Sequence, residues 1–156
     1  MLIFYLLLLP TLAVSQSLVM IGGALNDTNS VIYSKIVELA GGEGAKIGVI
    51  SIGSTFPIIQ GQSTVQVLNG VYNAEASHIH ISELFPSSNS QIIANQVEQQ
   101  NGILLLGENR LRIRDILRPN GKDSLVWSAI LQVVRNGGVL AANDGAMASL
   151  VSRTSK

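Results

Sequence analysis

The chain has 156 residues, of which 47% are hydrophobic and 13% are charged, and its 10 basic residues balance its 10 acidic ones. This length suits about one domain with a sizeable core. The sparse and balanced charge excludes an extended basic face for nucleic acid, and an aromatic content of 4% argues against a stacking platform for bases or sugars. There are no cysteines, which excludes disulfides and thiol chemistry.

The N-terminal segment is predicted to be a secretory signal. Residues 1–14 (MLIFYLLLLPTLAV) are almost wholly apolar, but the run is shorter than the ~20 residues that a transmembrane helix needs. Ala13-Val14-Ser15 fits a signal peptidase site and predicts cleavage before Gln16. Residues 1–15 are therefore interpreted as a signal peptide and residues 16–156 as an extracellular domain, free of the membrane after cleavage. A buried first strand and a membrane anchor are the alternatives.

Strands and helices alternate along the rest of the chain. In chain order, the pattern predicts a strand at 18–21, a helix at 31–40, a strand at 46–52, a helix at 63–74, a strand at 77–81, a helix at 91–99, a strand at 102–106, helices at 110–117 and 125–135, and a strand at 138–142. Asn29 or Ser30 is suited to cap the first helix, and Ser90 the third. Near-continuous apolar strands between helices are typical of a mostly parallel sheet covered on both faces. The predicted fold class is therefore α/β, a three-layer sandwich.

Ligands of such sheets bind beyond the carboxyl ends of the strands, so the residues that leave each strand are the first candidates. Gly22-Gly23 either offers backbone amides to an oxyanion or phosphate, or forms a tight turn that needs positive φ. After the fourth strand, Arg110 and Arg112 are candidates to hold a substrate carboxylate. The alternative is a plain helix start with Glu108 at its positive end.

The last predicted strand breaks sharply into a helix, as α/β hydrolytic enzymes do where they present a nucleophile. The turn reads Asn143-Asp144-Gly145, so Asp144 stands where a nucleophile is expected, with no Ser or Cys beside it. The pattern is typical of a hydrolase scaffold, whereas an aspartate is not typical of its nucleophile position.

Two other features are weaker. His78 and His80 lie two apart on a strand and face the same side, but with no third ligand nearby they are interpreted as half-buried or edge residues, and no metal or cofactor is expected. Asn26 begins an Asn26-Asp27-Thr28 sequon and is a candidate glycosylation site if the chain is secreted.

Several segments resemble the cyanophycinase-like serine peptidases, relatives of peptidase E (aspartyl dipeptidase), whose flavodoxin-like fold is similar to class I glutamine amidotransferases. The matching segments are 18–24 (LVMIGGA), 37–42 (VELAGG) with 46–50 (KIGVI), and 102–113 (GILLLGENRLRI). The last is similar to the family pattern Gly-Ile-Phe-Phe-Thr-Gly-Gly-Asp-Gln-Leu-Arg-Ile. The resemblance covers residues 17–150.

The departures from the family fall on its functional positions. The family elbow Gly-Thr-Ser-Ala-Gly aligns with Ala142, Asn143, Asp144, Gly145 and Ala146, so Asp144 replaces the nucleophilic serine. The family's Gly-Gly-Asp-Gln, whose Gln positions substrate, becomes Gly107, Glu108, Asn109 and Arg110. The family's catalytic His lies beyond the elbow, and the sequence ends at Lys156 without a counterpart. The candidate substrate-binding residues are Gly22, Gly23, Gly107, Arg110, Asn143 and Gly145.

Three functional hypotheses follow. The first is a secreted, catalytically inactive relative of this family that binds a peptide or small molecule, or is structural. The second is an active serine-type peptidase for aspartyl peptides, seen here as a fragment. The third is a small-molecule or cation binding protein that uses Asp144, Asn143 and Glu108 as oxygen ligands. Because family members are longer, the resemblance also predicts a domain truncated at its C-terminal side, with the helix after the elbow missing and the strand at 138–142 poorly covered.

Overall fold

The computed structural model describes residues 16–82 and 87–151, so the predicted signal peptide and its cleavage site lie outside the described residues or at their edge. The strands are β1 (Ser17–Ile21), β2 (Lys46–Gly53), β3 (Glu75–His78), β4 (Gly102–Gly107) and β5 (Val139–Asn143). The α-helices are α1 (Ser30–Leu39), α2 (Pro57–Tyr72), α3 (Gln91–Glu98), α4 (Arg110–Leu117), α5 (Leu125–Arg135) and α6 (Asp144–Val151). Short 3-10 turns at Ser87–Asn89 and Pro119–Gly121 precede α3 and α5.

The strands form one sheet in the order β1-β5-β4-β2-β3, and every pairing is parallel. Helices α1 and α2 cover one face, where Tyr33, Ile36 and Leu68 are fully buried. Helices α3 to α6 cover the other face, where Ile113 and Ile130 lie at the centre of a second apolar cluster. This is a three-layer, flavodoxin-like sandwich, and the predicted α/β fold class is confirmed.

Two elements differ from the prediction by more than one residue. Helix α2 begins at Pro57 rather than at residue 63, because the fixed φ of proline suits the first helical position. Strand β3 spans Glu75–His78 rather than 77–81, since its pairing with β2 starts at Lys46 and Glu75. The side chain of Asn69 accepts from the amide of Ala76 at 2.7 Å and donates to its carbonyl at 3.1 Å, which ties β3 to α2.

The prediction of a poorly covered last strand with no helix after it is wrong. Strand β5 lies inside the sheet between β1 and β4, and all of its residues are buried. Helix α6 follows the elbow directly and packs against β4 and β5, while α1 packs on β5 from the other face. In the described part of the chain, every helix is too short or too polar to cross a membrane.

Candidate functional site

The loops that follow four of the strands meet at one edge of the sheet. Ile21 pairs with Asn143 across β1 and β5, and Gly53 pairs with Gly107 across β2 and β4. Strands β4 and β5 are neighbours as well. The structure therefore brings together the turns after β1, β5, β4 and β2, which hold the candidate residues at Gly22-Gly23, 107–110 and 143–145.

The elbow is as sharp as the sequence suggests. Strand β5 ends at Asn143 and α6 begins at the next residue. Asp144 has φ of 43°, in the left-handed region that residues other than glycine rarely adopt, and it is exposed. Such a strained strand-to-helix residue is how α/β hydrolases display a nucleophile at the positive end of a helix. Asp144 has the backbone geometry of such an elbow.

The elbow packs directly on the turn after β4. A Cβ atom at Gly145 would overlap the carbonyl group of Glu108 and lie 3.0 Å from the amide nitrogen of Arg110. Only glycine permits this approach of two backbones. Gly145 is thus explained by close packing, which brings Glu108 and Arg110 next to Asp144 in space.

Asn143, at the buried end of β5, is hydrogen-bonded to the same turn. Its Oδ1 accepts a buried hydrogen bond of 3.1 Å from the amide of Gly107. Gly107 has φ of 145°, and a Cβ atom there would overlap the backbone of Gly53. Asn143, proposed from sequence as a substrate contact, is buried and joins β5 to the turn after β4.

Glu108 reaches across the edge to the loop after β2. Its Oε1 accepts from the amide of Thr55 at 2.9 Å and from the Thr55 hydroxyl at 2.5 Å. The bond from the Thr55 hydroxyl holds the pKa of Glu108 below its usual value, and the charge of Arg112 adds to this effect. The sequence predicts neither contact, since Thr55 and Glu108 are far apart along the chain.

The two candidate arginines have different surroundings. Asn109 caps α4 by accepting from the amide of Arg112 at 3.1 Å, and the Arg112 guanidinium donates to the carbonyl of Ser54 at 3.3 Å. Arg110 is exposed on the first turn of α4. Of the pair proposed to hold a carboxylate, Arg110 is the one displayed at the edge.

The glycine turn after β1 is open. Gly23 has φ of 94°, and a Cβ atom at Gly22 or Gly23 would meet no atom within 4 Å. The turn needs glycine at position 23 for its backbone angle, and both residues are exposed.

The candidate glycosylation residue Asn26 is also exposed, and its Oδ1 accepts from the amide and hydroxyl of Thr28 at 3.0 and 2.9 Å.

A serine–histidine contact lies elsewhere, and sequence reasoning missed it. Ser51 Oγ is 3.0 Å from His78 Nε2 and donates to the carbonyl of Pro57 at 2.6 Å. Because the hydroxyl proton points at Pro57, His78 must donate to Ser51. Burial, with a smaller effect of the nearby His80 ring, lowers the pKa of His78. Within residues 16–82 and 87–151, no group of three or more His, Cys, Asp or Glu side chains is arranged to hold a metal ion.

The fold resembles that of a solved peptidase. The crystal structure of a peptidase from an acI-B1 actinobacterium superimposes with a TM-score of 0.69 at 13% sequence identity, over 85% of this chain and 55% of that chain. The chain therefore spans 55% of the length of that peptidase. No family model matches the sequence. The likeness shows that the chain shares the α/β fold of that protein.

Proposed function

We propose that this chain is a secreted, cyanophycinase-like protein that lacks serine peptidase activity and binds a peptide or small molecule at the carboxyl edge of its sheet. The observation that carries the proposal is Asp144, which stands exposed at φ of 43° on the nucleophile turn of a peptidase-like fold. The apolar leader at residues 1–15 supports secretion.

A carboxylate does not replace a serine in peptide hydrolysis. Attack by Asp144 on a peptide carbonyl would give a mixed anhydride, and the amine leaving group would need a proton donor. The chain has 2 histidines. His78 ends β3 and His80 follows it by two residues, and β4 and β2 separate β3 from β5. Three strand spacings amount to about 14 Å, far beyond hydrogen-bond distance. The negative charge at the elbow would also repel acidic substrates.

The Ser51–His78 contact offers no second catalytic centre. A nucleophilic serine gives its proton to the histidine, whereas here the hydroxyl donates to the carbonyl of Pro57. Ser51 is also 1% exposed beneath the first turn of α2. Its contacts favour a structural role that joins β2, β3 and α2.

The cation-binding alternative receives no support from the elbow. Asn143 Oδ1 is bonded to the Gly107 amide, and Glu108 Oε1 is bonded to Thr55. Asn143 Oδ1 would lose its bond to Gly107 if it turned toward Asp144, and Thr55 holds the Glu108 carboxylate toward the loop after β2. The binding proposal therefore concerns an organic ligand.

The activity of the purified chain tests the proposal. The purified protein is incubated with α- and β-aspartyl peptides, with Asp144→Asn as the matched variant, and new amino termini are quantified. We expect no turnover by either protein. Turnover that Asp144→Asn abolishes would make Asp144 catalytic, and turnover that only Ser51→Ala abolishes would move the chemistry to Ser51. Either result overturns the proposal.

Secretion is tested separately by sequencing the N-terminus of the protein released from a secreting cell. We expect the mature chain to start at Gln16. A product that retains Met1 or stays inside the cell would contradict this part of the proposal.

A further inference from the structure

A pocket of about 330 Å³ lies beside the candidate site, on the face of the sheet covered by α1 and α2. Its wall includes Ser54 from the loop after β2 and Leu106 from the end of β4. Ser54 accepts from Arg112 and is followed by Thr55, the partner of Glu108. The pocket is therefore adjacent to the sheet edge that holds the elbow. Its lining residues come from several segments that lie far apart in the sequence, so they form no sequence motif.

One part of the pocket is acidic and rich in oxygen atoms. Asp27 is the one charged residue among the described residues that line it, and Ser63 Oγ donates to Asp27 Oδ2 at 3.3 Å. Burial raises the pKa of Tyr33 to about 12, and the charge of Asp27 contributes to this rise, while a hydrogen bond with Thr64 opposes it. Tyr33 therefore stays neutral and adds no charge to the pocket.

The pocket wall also contains a polar atom with an unmet hydrogen bond. Gln60 Oε1 is buried and has no hydrogen-bond partner among the described residues. A buried carbonyl oxygen without a donor is unfavourable and rare in folded proteins. Because this oxygen is buried, a ligand in the pocket would reach it only after the Gln60 side chain rotates.

The rim of the same pocket is apolar. Phe56 and Ile59 line it and remain 66% and 68% exposed. Leu25 lies on the wall as well. Large apolar side chains that stay exposed beside a pocket are typical of a binding surface. The two parts together suit a ligand with a short apolar stem and a positively charged head.

We propose that this pocket binds an alkylammonium group, either a small aliphatic amine or the side chain of a lysine in a peptide. The Asp27 carboxylate is the acceptor at this pocket, with the Thr64 hydroxyl on the same wall. Because Ser63 Oγ already donates to Asp27 Oδ2, the carboxylate does not present both oxygens to the paired donors of a planar guanidinium, whereas an ammonium needs only one. This inference rests on one part of the proposed function, the binding of a ligand, and does not depend on the lack of peptidase activity. It adds the chemical class of that ligand.

Calorimetric titration of the purified chain tests the pocket. The probes are 1,5-diaminopentane, Nα-acetyl-lysine methylamide, the guanidinium compound agmatine and the neutral 1-pentanol. We expect the ammonium probes to bind at least about tenfold more tightly than agmatine or pentanol, which corresponds to ~1.4 kcal/mol. Asp27→Asn and Ile59→Ser should each weaken the binding about tenfold or more. Glu43→Gln removes an exposed acid elsewhere and should leave it unchanged.

The outcomes separate the sources of the ligand and the two proposals. Binding of the lysine derivative alone points to a peptide, and binding of the diamine as well points to free amines. Equal binding of agmatine, or binding that Asp27→Asn leaves intact in a folded variant, overturns the inference. So does the absence of amine binding at ~10 mM, the weak limit for small ligands. That negative result would leave the lack of peptidase activity standing, because hydrolysis is measured independently.

Discussion

The contact between the elbow and the turn after β4 gives the sharpest mutational prediction. In Gly145→Ala, the new Cβ atom would overlap the carbonyl of Glu108 and lie 3.0 Å from the amide of Arg110. Both neighbours are backbone groups, which cannot rotate out of the way as a side chain would. Overpacking of this kind costs about 1–3 kcal/mol, and the better helix propensity of alanine recovers at most ~1 kcal/mol.

We therefore expect Gly145→Ala to lose about 1–2 kcal/mol of unfolding free energy, measured by urea denaturation. For a domain of this size each kcal/mol lowers Tm by about 2–4 °C, so a fall of about 2–8 °C is expected. Gly70→Ala is the matched control, because a Cβ atom there meets no atom within 4 Å. Its helical position in α2 should make it neutral or more stable by up to ~1 kcal/mol. If Gly145→Ala is as stable as this control, the elbow does not pack on the turn.

Three further predictions concern the elbow and the histidine. Asn143→Ala leaves the buried amide of Gly107 without its acceptor and should lose about 1–3 kcal/mol in urea denaturation, and an unchanged midpoint would contradict the hydrogen bond. Asp144→Gly should raise the free energy of unfolding by up to ~1 kcal/mol, because glycine adopts the left-handed backbone at no steric cost. Asp144→Val should lower it, and equal urea midpoints for the two variants would show that this φ is not positive. The pKa of His78 is lowered in the folded protein, below the ordinary value of 6.5. As pH falls through 6.5 the unfolded chain therefore binds more protons than the folded chain, and the free energy of unfolding decreases. His78→Asn should flatten this decrease, and a pH profile identical to that of the unsubstituted protein would refute the prediction.

The sequence predicts the architecture well because its signal is periodic. Each central strand is a short apolar run bounded by glycine or a polar turn, and the amphipathic pattern of α5 marks one buried face. Boundaries fail where tertiary pairing overrides local pattern. Alternation at 77–81 suggests a strand, but pairing with β2 selects Glu75–His78.

The candidate site is predictable only in part. The elbow at Asp144 follows from a strand that runs into a helix, and its sharpness is visible in the sequence. The bond between Glu108 and Thr55 and the pocket around Asp27 depend on residues brought together by the sheet order β1-β5-β4-β2-β3. A local sequence pattern does not predict contacts between residues that lie so far apart along the chain.

The central claim is that Asp144 stands at a nucleophile position built by the fold. Because the chain has no cysteine, Asp144→Cys would carry a single thiol. The thiol pKa is obtained from the rate of iodoacetamide alkylation against pH, with Gln66→Cys on the exposed side of α2 as the control. An exposed thiol at a helix N-terminus should titrate at about 7 or lower, against about 8.5 for the control. Equal pKa values for the two thiols, or a thiol at position 144 that the reagent does not reach, would contradict the account.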